Sequence, residues 1–215
     1  MQRRKDAFMR AGYCSLLIVA LVTGVTAPAN AQLVISPHVN AKLAGDVETE
    51  RGGAGLSVGY YLPAWRGLGL GLELNAGWYG HFFRDEDVAN LVPEGVDLNT
   101  DALILMSNIV MPVSIPRAPL WRPYATVGLG VIHAIFAVPG GAEYDTTQDN
   151  LALNAGIGMM HQLNRLLGLR ADLRYYHAFV DEQAAEGGYL EDYDFWDVSV
   201  GVTLQLPLQR WPDPW

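Results

Sequence analysis

Alternation of apolar and other residues is the dominant pattern along the chain. Between Phe195 and Leu206 every second residue is a large apolar one, and those between them are mostly polar or glycine. The segments Leu68 to Phe83 and Leu167 to Phe179 repeat this pattern. Because successive side chains of a strand point to opposite faces, each segment predicts a strand with one apolar and one polar, glycine-rich face.

Read along the whole chain, the pattern predicts eight strands. They cover residues 33–44, 53–62, 68–83, 100–115, 121–136, 150–163, 167–179 and 195–206. A tilted strand needs about 9 to 11 residues to cross the hydrocarbon of a bilayer, and each segment is long enough. The segment Leu103 to Val113 is nearly apolar on both faces, so its phase stays open. We therefore predict an all-β fold, an eight-stranded antiparallel up-and-down β-barrel that spans a membrane.

The connections between these strands alternate in length. Short ones fall at residues 63–67, 115–120 and 164–166, and long ones at 45–52, 84–99, 137–149 and 180–194. Most acidic residues lie in the long connections, whereas arginines flank the short ones. Outer-membrane barrels have short periplasmic turns and longer outer loops, so this order predicts that both termini face the periplasm.

Aromatic residues collect near the predicted strand ends, as the interfacial belts of membrane proteins do. The predicted outer belt contains Trp78, Phe82, Phe83, Phe136, Tyr175, Phe179 and Trp196, and the inner one contains Tyr60, Trp65, Trp121, Trp211 and Trp215. A soluble barrel of the lipocalin type also alternates, but it places its apolar face inside. Because the polar, glycine-rich face here lacks the bulk of a soluble core, we favour the membrane barrel.

Residues 1–31 have the parts of a cleaved export signal. Four basic residues precede an apolar run from Ser15 to Thr26, which is shorter than the roughly 20 residues of a spanning helix. Ala29 and Ala31 form the small-x-small site of a signal peptidase, so cleavage would leave residues 32–215 as the barrel domain; an uncleaved anchor helix is the alternative. The signal holds four of the 14 Lys and Arg residues and one of the 23 Asp and Glu, so the mature chain has 10 and 22, net −12. Such a charge repels nucleic acid.

Several stretches resemble a known family. They are residues 99–108, the segment RPYATVGLG at 122–130, AGIG at 155–158 and LRADLRYY at 169–176. These are similar to the small outer-membrane β-barrel domain shared by OmpA-like, OmpX-like and OmpW-like proteins. The resemblance implies the outer membrane of a Gram-negative bacterium and contacts with lipid, lipopolysaccharide and the barrel-assembly machinery. Members usually end in an aromatic residue that completes the last strand, whereas prolines after Leu206 interrupt the alternation here.

The predicted inward face carries equal numbers of positive and negative side chains. They are Lys42, Arg170 and Arg174, with Glu73, Asp172 and Asp197. Buried charges are costly unless they are paired, so we predict a structural ion-pair network that closes the lumen. Inward glycines leave room for these long side chains, or equally for a water-filled path, so a narrow porin-like channel for small solutes or ions stays the alternative.

Catalysis, cofactors and metals are not predicted. The barrel deacylases carry His-x-Ser-Asn, which no histidine of this chain begins, and the five histidines are interpreted as rim or interfacial residues. The acidic stretches Asp85 to Asp87 and Glu191 to Asp194 could supply oxygen ligands to calcium, but neither has EF-hand spacing, and solvated loops are the preferred interpretation. We expect a non-enzymatic monomer with a structural or surface-interaction role.

Overall fold

Eight antiparallel strands form the fold, and the last pairs with the first. The structure is a computed structural model that describes residues 31–49, 51–65, 68–84, 99–137, 146–180 and 192–207. The strands are β1 (Gln32–Gly45), β2 (Gly52–Trp65), β3 (Leu68–Tyr79), β4 (Asn99–Pro112), β5 (Trp121–Ala137), β6 (Thr146–Gln162), β7 (Leu167–Phe179) and β8 (Tyr193–Pro207). They close a barrel in sequence order, which confirms the predicted fold class.

Closure depends on the pairing of β1 with β8. Their register runs from Gln32 opposite Pro207 to Gly45 opposite Phe195, with an irregularity between Lys42 and Ala44. Because a closed sheet has no free edge, the ladder hydrogen bonds satisfy the backbone without water. The predicted cleavage would leave Gln32, the first residue of β1, as the new N-terminus; residues 1–30 of the predicted signal lie outside the described residues.

The outside of the barrel is apolar. Many large side chains on outward positions are more than 40% exposed, among them Leu70 at 45%, Val127 at 50% and Ile157 at 64%. In water such a surface would be very costly, whereas lipid is a suitable solvent for it. In the part of the chain that the structure describes, no helix is long and apolar enough to cross a membrane.

The structure settles the phase of β4, which the sequence left open. Ile104, Met106 and Val110 are buried on the inner face, and Leu105 and Ile109 are exposed on the outer face. Both sets are apolar because the inner set packs against other side chains in the lumen while the outer set faces lipid. The inside of this barrel is therefore less polar than the sequence analysis expected.

The two ends of the barrel differ in their connections. We call the end with the long connections the loop end, and the end with the connections at 66–67, 113–120 and 163–166 the turn end.

One prediction at the loop end is wrong: β3 ends at Tyr79 and not at Phe83. The chain turns at His81, whose φ of 48° is unusual for a residue other than glycine, and residues 82 and 83 fold into the barrel mouth.

Candidate functional site

Four charged side chains meet in the middle of the lumen. We call Glu73, Arg170, Asp172 and Arg174 the charge cluster; each is at most 6% exposed. Arg170 forms an ion pair with Glu73 and a second one with Asp172, where Nε lies 2.8 Å from Oδ2. Nη2 of Arg174 lies 2.9 Å from Oε1 of Glu73 and 2.9 Å from Oδ1 of Asp172. Two guanidinium groups therefore neutralise two carboxylates across the barrel.

Two tyrosines hold the carboxylates of the charge cluster in place. The Tyr61 hydroxyl donates to Oε2 of Glu73 over 3.2 Å, and the Tyr124 hydroxyl donates to Oδ1 of Asp172 over 2.5 Å. Nε of Arg170 in turn donates to the Tyr124 oxygen over 2.7 Å. Neither tyrosine was predicted as a site residue, although both are in phase with inward glycines of their own strands, Gly59 and Gly128.

Lys42 and Asp197 lie outside the charge cluster. They are register partners on β1 and β8, but neither forms an ion pair within 4.0 Å in the described part of the chain. Nζ of Lys42 donates to the His81 carbonyl over 3.1 Å and lies 5.0 Å from the centre of the Phe82 ring. Asp197 accepts a hydrogen bond of 3.1 Å from the Tyr79 hydroxyl. The six charges predicted as one network thus form one cluster of four and two separately bonded residues.

A cluster of buried, mostly apolar side chains lies on each side of the charge cluster along the lumen. The turn-end layer consists of Val34, Tyr61, Val110, Tyr124 and Met160. The loop-end layer is larger, and its members are Val47, Tyr79, Phe82, Phe83, Ala102, Ile104, Met106, Ile132, Ala134, Phe136, Ala152, Tyr176, Ala178, Tyr193 and Phe195. Charges enclosed in this way have little contact with water, which makes their mutual pairing essential.

Residues 80–84, which we call the cap segment, complete the loop-end layer. Phe82 N donates to the carbonyl of Thr100, and the Phe82 carbonyl accepts from Glu48 N over 3.0 Å. Phe83 N donates to the Thr100 hydroxyl over 3.1 Å, and its ring stacks on Phe136 with centroids 5.6 Å apart. These bonds and ring contacts hold both phenylalanines inside the mouth.

The predicted outer belt is therefore partly wrong. Phe82, Phe83 and Phe136 are at most 3% exposed and belong to the lumen, because the cap segment turns inward and Phe136 is in phase with inward Ile132. Trp78, Phe179 and Trp196 are 39 to 46% exposed on the outer face, and Tyr175 packs on Trp196. Of the inner belt, Trp121 is exposed and Tyr60 is half-buried; Trp211, Trp215 and the side chain of Trp65 lie outside the described residues.

Side chains occupy the space beside the inward glycines. At each of nine such positions, a Cβ atom would lie within 3.0 Å of a side-chain atom of a nearby residue. Tyr61 covers Gly59 and Gly71, and Tyr124 covers Gly158. The other six are Gly55 and Gly201 under His38, Gly77 under Tyr79, Gly128 under Asn108, Gly130 under Met106 and Gly156 under Arg174. The glycines therefore accommodate rings and long side chains.

One histidine contradicts the interpretation of all five as rim residues. His38 faces the lumen, where Nδ1 lies 3.0 Å from the Ser36 carbonyl, and it keeps partial exposure. His133 pairs with Asp149 on the outer face over 2.5 Å, and His161 stacks on Trp121. Among the described residues, no group of three or more His, Cys, Asp or Glu side chains could hold a metal ion.

A closed eight-stranded sheet with an apolar exterior and ion pairs inside defines a transmembrane β-barrel. Residues 17–205 match the family described as "Outer membrane protein beta-barrel domain". The chain belongs to this family, and it is a protein of the outer membrane. A search of curated sequences gave no significant match.

Solved structures show the same fold. Ail of Yersinia pestis, in complex with the heparin analogue sucrose octasulfate, superposes with a TM-score of 0.53 at 13% identity, covering 83% of this chain and 100% of Ail. A major outer membrane protein from Thermus thermophilus gives a TM-score of 0.54 at 15% identity, covering 82% of this chain and 99% of that protein. At these identities the likeness concerns the fold alone.

Proposed function

We propose that this chain is a non-enzymatic outer-membrane barrel with a structural or surface-interaction role, whose lumen is sealed by its own side chains. The observation that carries the proposal is the order of layers along the lumen: apolar, charged and apolar. An eight-stranded barrel is just wide enough for side chains to fill it. The side chains seated on the inward glycines named above support the same conclusion.

Solute efflux from vesicles tests whether the lumen is sealed. The purified chain is refolded into lipid vesicles loaded with a sugar such as arabinose, and shrinkage after an osmotic step is followed by light scattering. A sealed barrel leaves the rate of solute movement equal to that of protein-free vesicles. A rate that rises with protein content, as it does for a porin in parallel vesicles, would favour the channel.

A narrow channel is the second candidate, and His38 favours it. This side chain lies inside the lumen and is still partly exposed, so the lumen is not equally tight over its whole section. Near it, Ser57 accepts a hydrogen bond of 2.8 Å from Asn75, which gives this side of the lumen small polar groups. Such a wall could admit water or ions if the charge cluster moved aside.

The proposed surface role follows from charge. The four long connections predicted from the sequence hold 17 acidic residues and two basic ones. At the loop end, which we propose faces outward, this charge would repel sulfated glycans and favour cationic partners. We therefore expect vesicles with this chain to bind no heparin-type oligosaccharide at physiological salt; saturable binding would contradict this view.

Divalent ions could bridge the acidic connections to lipopolysaccharide phosphates. A melting temperature that is unchanged by a chelator would contradict this.

Absence of catalysis is part of the proposal. One serine is bonded to the charge cluster: the Ser199 hydroxyl donates to Oδ2 of Asp172 over 3.4 Å. Among the described residues it has no hydrogen bond to a histidine, which a serine nucleophile of a hydrolase requires. Incubation with lipopolysaccharide should release no fatty acid, and time-dependent release would overturn this assignment. We further propose that the chain is a monomer. Its proposed partners are lipopolysaccharide and, during insertion, the barrel-assembly machinery.

A further inference from the structure

Four buried polar atoms on one side of the lumen have no hydrogen-bond partner among the described residues. They are Nδ2 of Asn108, Oγ1 of Thr126, Oδ1 of Asn154 and Nη1 of Arg174. Each of these residues is at most 3% exposed. Buried polar atoms in proteins are nearly always paired, since an unpaired one loses its bonds to water without replacement.

The strand register brings the four side chains into one neighbourhood. Asn108 and Asn154 flank a glycine of β5 in one row of the sheet, and Thr126 and Arg174 flank a glycine of β6 in the next inward row. Diagonal neighbours on one face of a sheet lie roughly 7 to 8 Å apart. The two amides are also directly bonded, Asn154 Nδ2 to Asn108 Oδ1 over 2.9 Å.

The chemistry of these atoms selects the ligand. An amide nitrogen and a guanidinium nitrogen can only donate, an amide oxygen can only accept, and a hydroxyl can do both. Water matches this mixed set because it also donates and accepts. An anion would satisfy the donors, but the charge cluster is already neutral, so a further buried negative charge would lack a counterion.

We propose that Asn108, Thr126, Asn154 and Arg174 form a hydration site that binds one or more water molecules inside the barrel. A buried water typically makes about three hydrogen bonds, which these side chains can supply. The water would give Nη1 of Arg174 a partner, so the guanidinium could remain fully bonded while its other nitrogens hold the carboxylates.

Buried side chains lie on both sides of this site along the lumen. Along the same strands, Met106, Ala152 and Tyr176 lie on the loop-end side, and Val110 and Tyr124 lie on the turn-end side. All five are at most 3% exposed. Water bound between these layers would exchange slowly with bulk solvent, and it would not connect the two ends of the barrel. The slow exchange rests on the sealed lumen proposed above, whereas the four unpartnered atoms that bind the water do not.

Nuclear magnetic resonance of the full barrel in lipid nanodiscs tests the site directly. In deuterated protein with protonated amides, we expect dipolar cross-peaks of the sign of long-lived water at the side-chain amides of Asn108 and Asn154. Absence of cross-peaks from both amides would overturn the proposal. Exchange of chloride for gluconate should leave both amide shifts unchanged; a saturable dependence on chloride would replace water by an anion.

A matched pair of variants locates the water. Thr126→Val keeps the shape of the side chain and removes its hydroxyl, so we expect the water cross-peaks to weaken severalfold or disappear. Thr203→Val is the control, because its hydroxyl is also buried without a partner among the described residues but lies on β8, outside the site. Equal cross-peaks in both variants and the original chain would mean that Thr126 does not hold the water.

Discussion

Glu73, like Asp172, bonds to both arginines of the charge cluster. It receives Arg170 and Arg174 from β7 and the Tyr61 hydroxyl from β2. The pairing matters because a charge buried without a partner costs far more than an exposed one. His133 and Asp149 offer the contrasting case, since their pair lies on the outer face with the Asp149 side chain 67% exposed.

Glu73→Gln should therefore destabilise the barrel strongly. The substitution keeps the size of the side chain and leaves two guanidinium groups with a single carboxylate, which should cost about 3 to 5 kcal/mol of unfolding free energy. Asp149→Asn, the exposed control, should cost about 1 kcal/mol or less. Urea unfolding in lipid vesicles measures both, and similar losses for the two variants would contradict a buried, essential cluster.

Gly158 shows how the inward glycines act. A Cβ atom here would overlap the Tyr124 ring, whose hydroxyl holds Asp172. Gly158→Ala should lower the unfolding free energy by about 1 to 3 kcal/mol, as overpacking does. Gly80→Ala is the control, because the nearest atom to its Cβ is Oδ1 of Asp101 at 3.7 Å. Equal stability of the two variants would show that the ring does not need the glycine.

The cap segment is the element that the sequence predicted least well. Alternation continues from β3 into residues 80–83, so the pattern gave no sign that the chain turns at His81. The inward position of Phe136 was available from the sequence, since it is in phase with the inward glycines Gly128 and Gly130. Phe136 was nevertheless assigned to the outer belt, because aromatic residues near strand ends are expected to form such belts.

Removal of the cap ring tests the role of this element. Phe82→Ala should cost about 3 to 5 kcal/mol, because the ring is fully buried among Tyr79, Phe83 and Phe195. Phe179→Ala removes a ring that is 39% exposed on the outer face and should cost clearly less. If the two variants unfold at the same urea concentration with equal m-values, the buried cap ring stabilises the barrel no more than an exposed outer ring does.

At the scale of the whole molecule, the alternation of apolar and polar residues was sufficient to predict the fold but not the contacts of the charged residues. It predicted eight strands, and each confirmed strand overlaps its predicted range. It also placed six charged residues on the inner face. It could not choose their partners, because pairs such as Glu73 and Arg170 meet across the barrel, 97 residues apart in the chain. Lys42 and Asp197 show this limit most clearly, since each bonds to a residue of β3 or the cap segment.

Single-channel recording in planar bilayers tests the sealed lumen most directly. With the charge cluster enclosed between two apolar layers, we expect no steady conductance steps from the purified, folded chain, while a porin recorded in the same bilayers gives its usual steps. Steady, reproducible steps from the folded chain, absent when heat-denatured protein is added, would contradict the sealed lumen and favour the narrow channel.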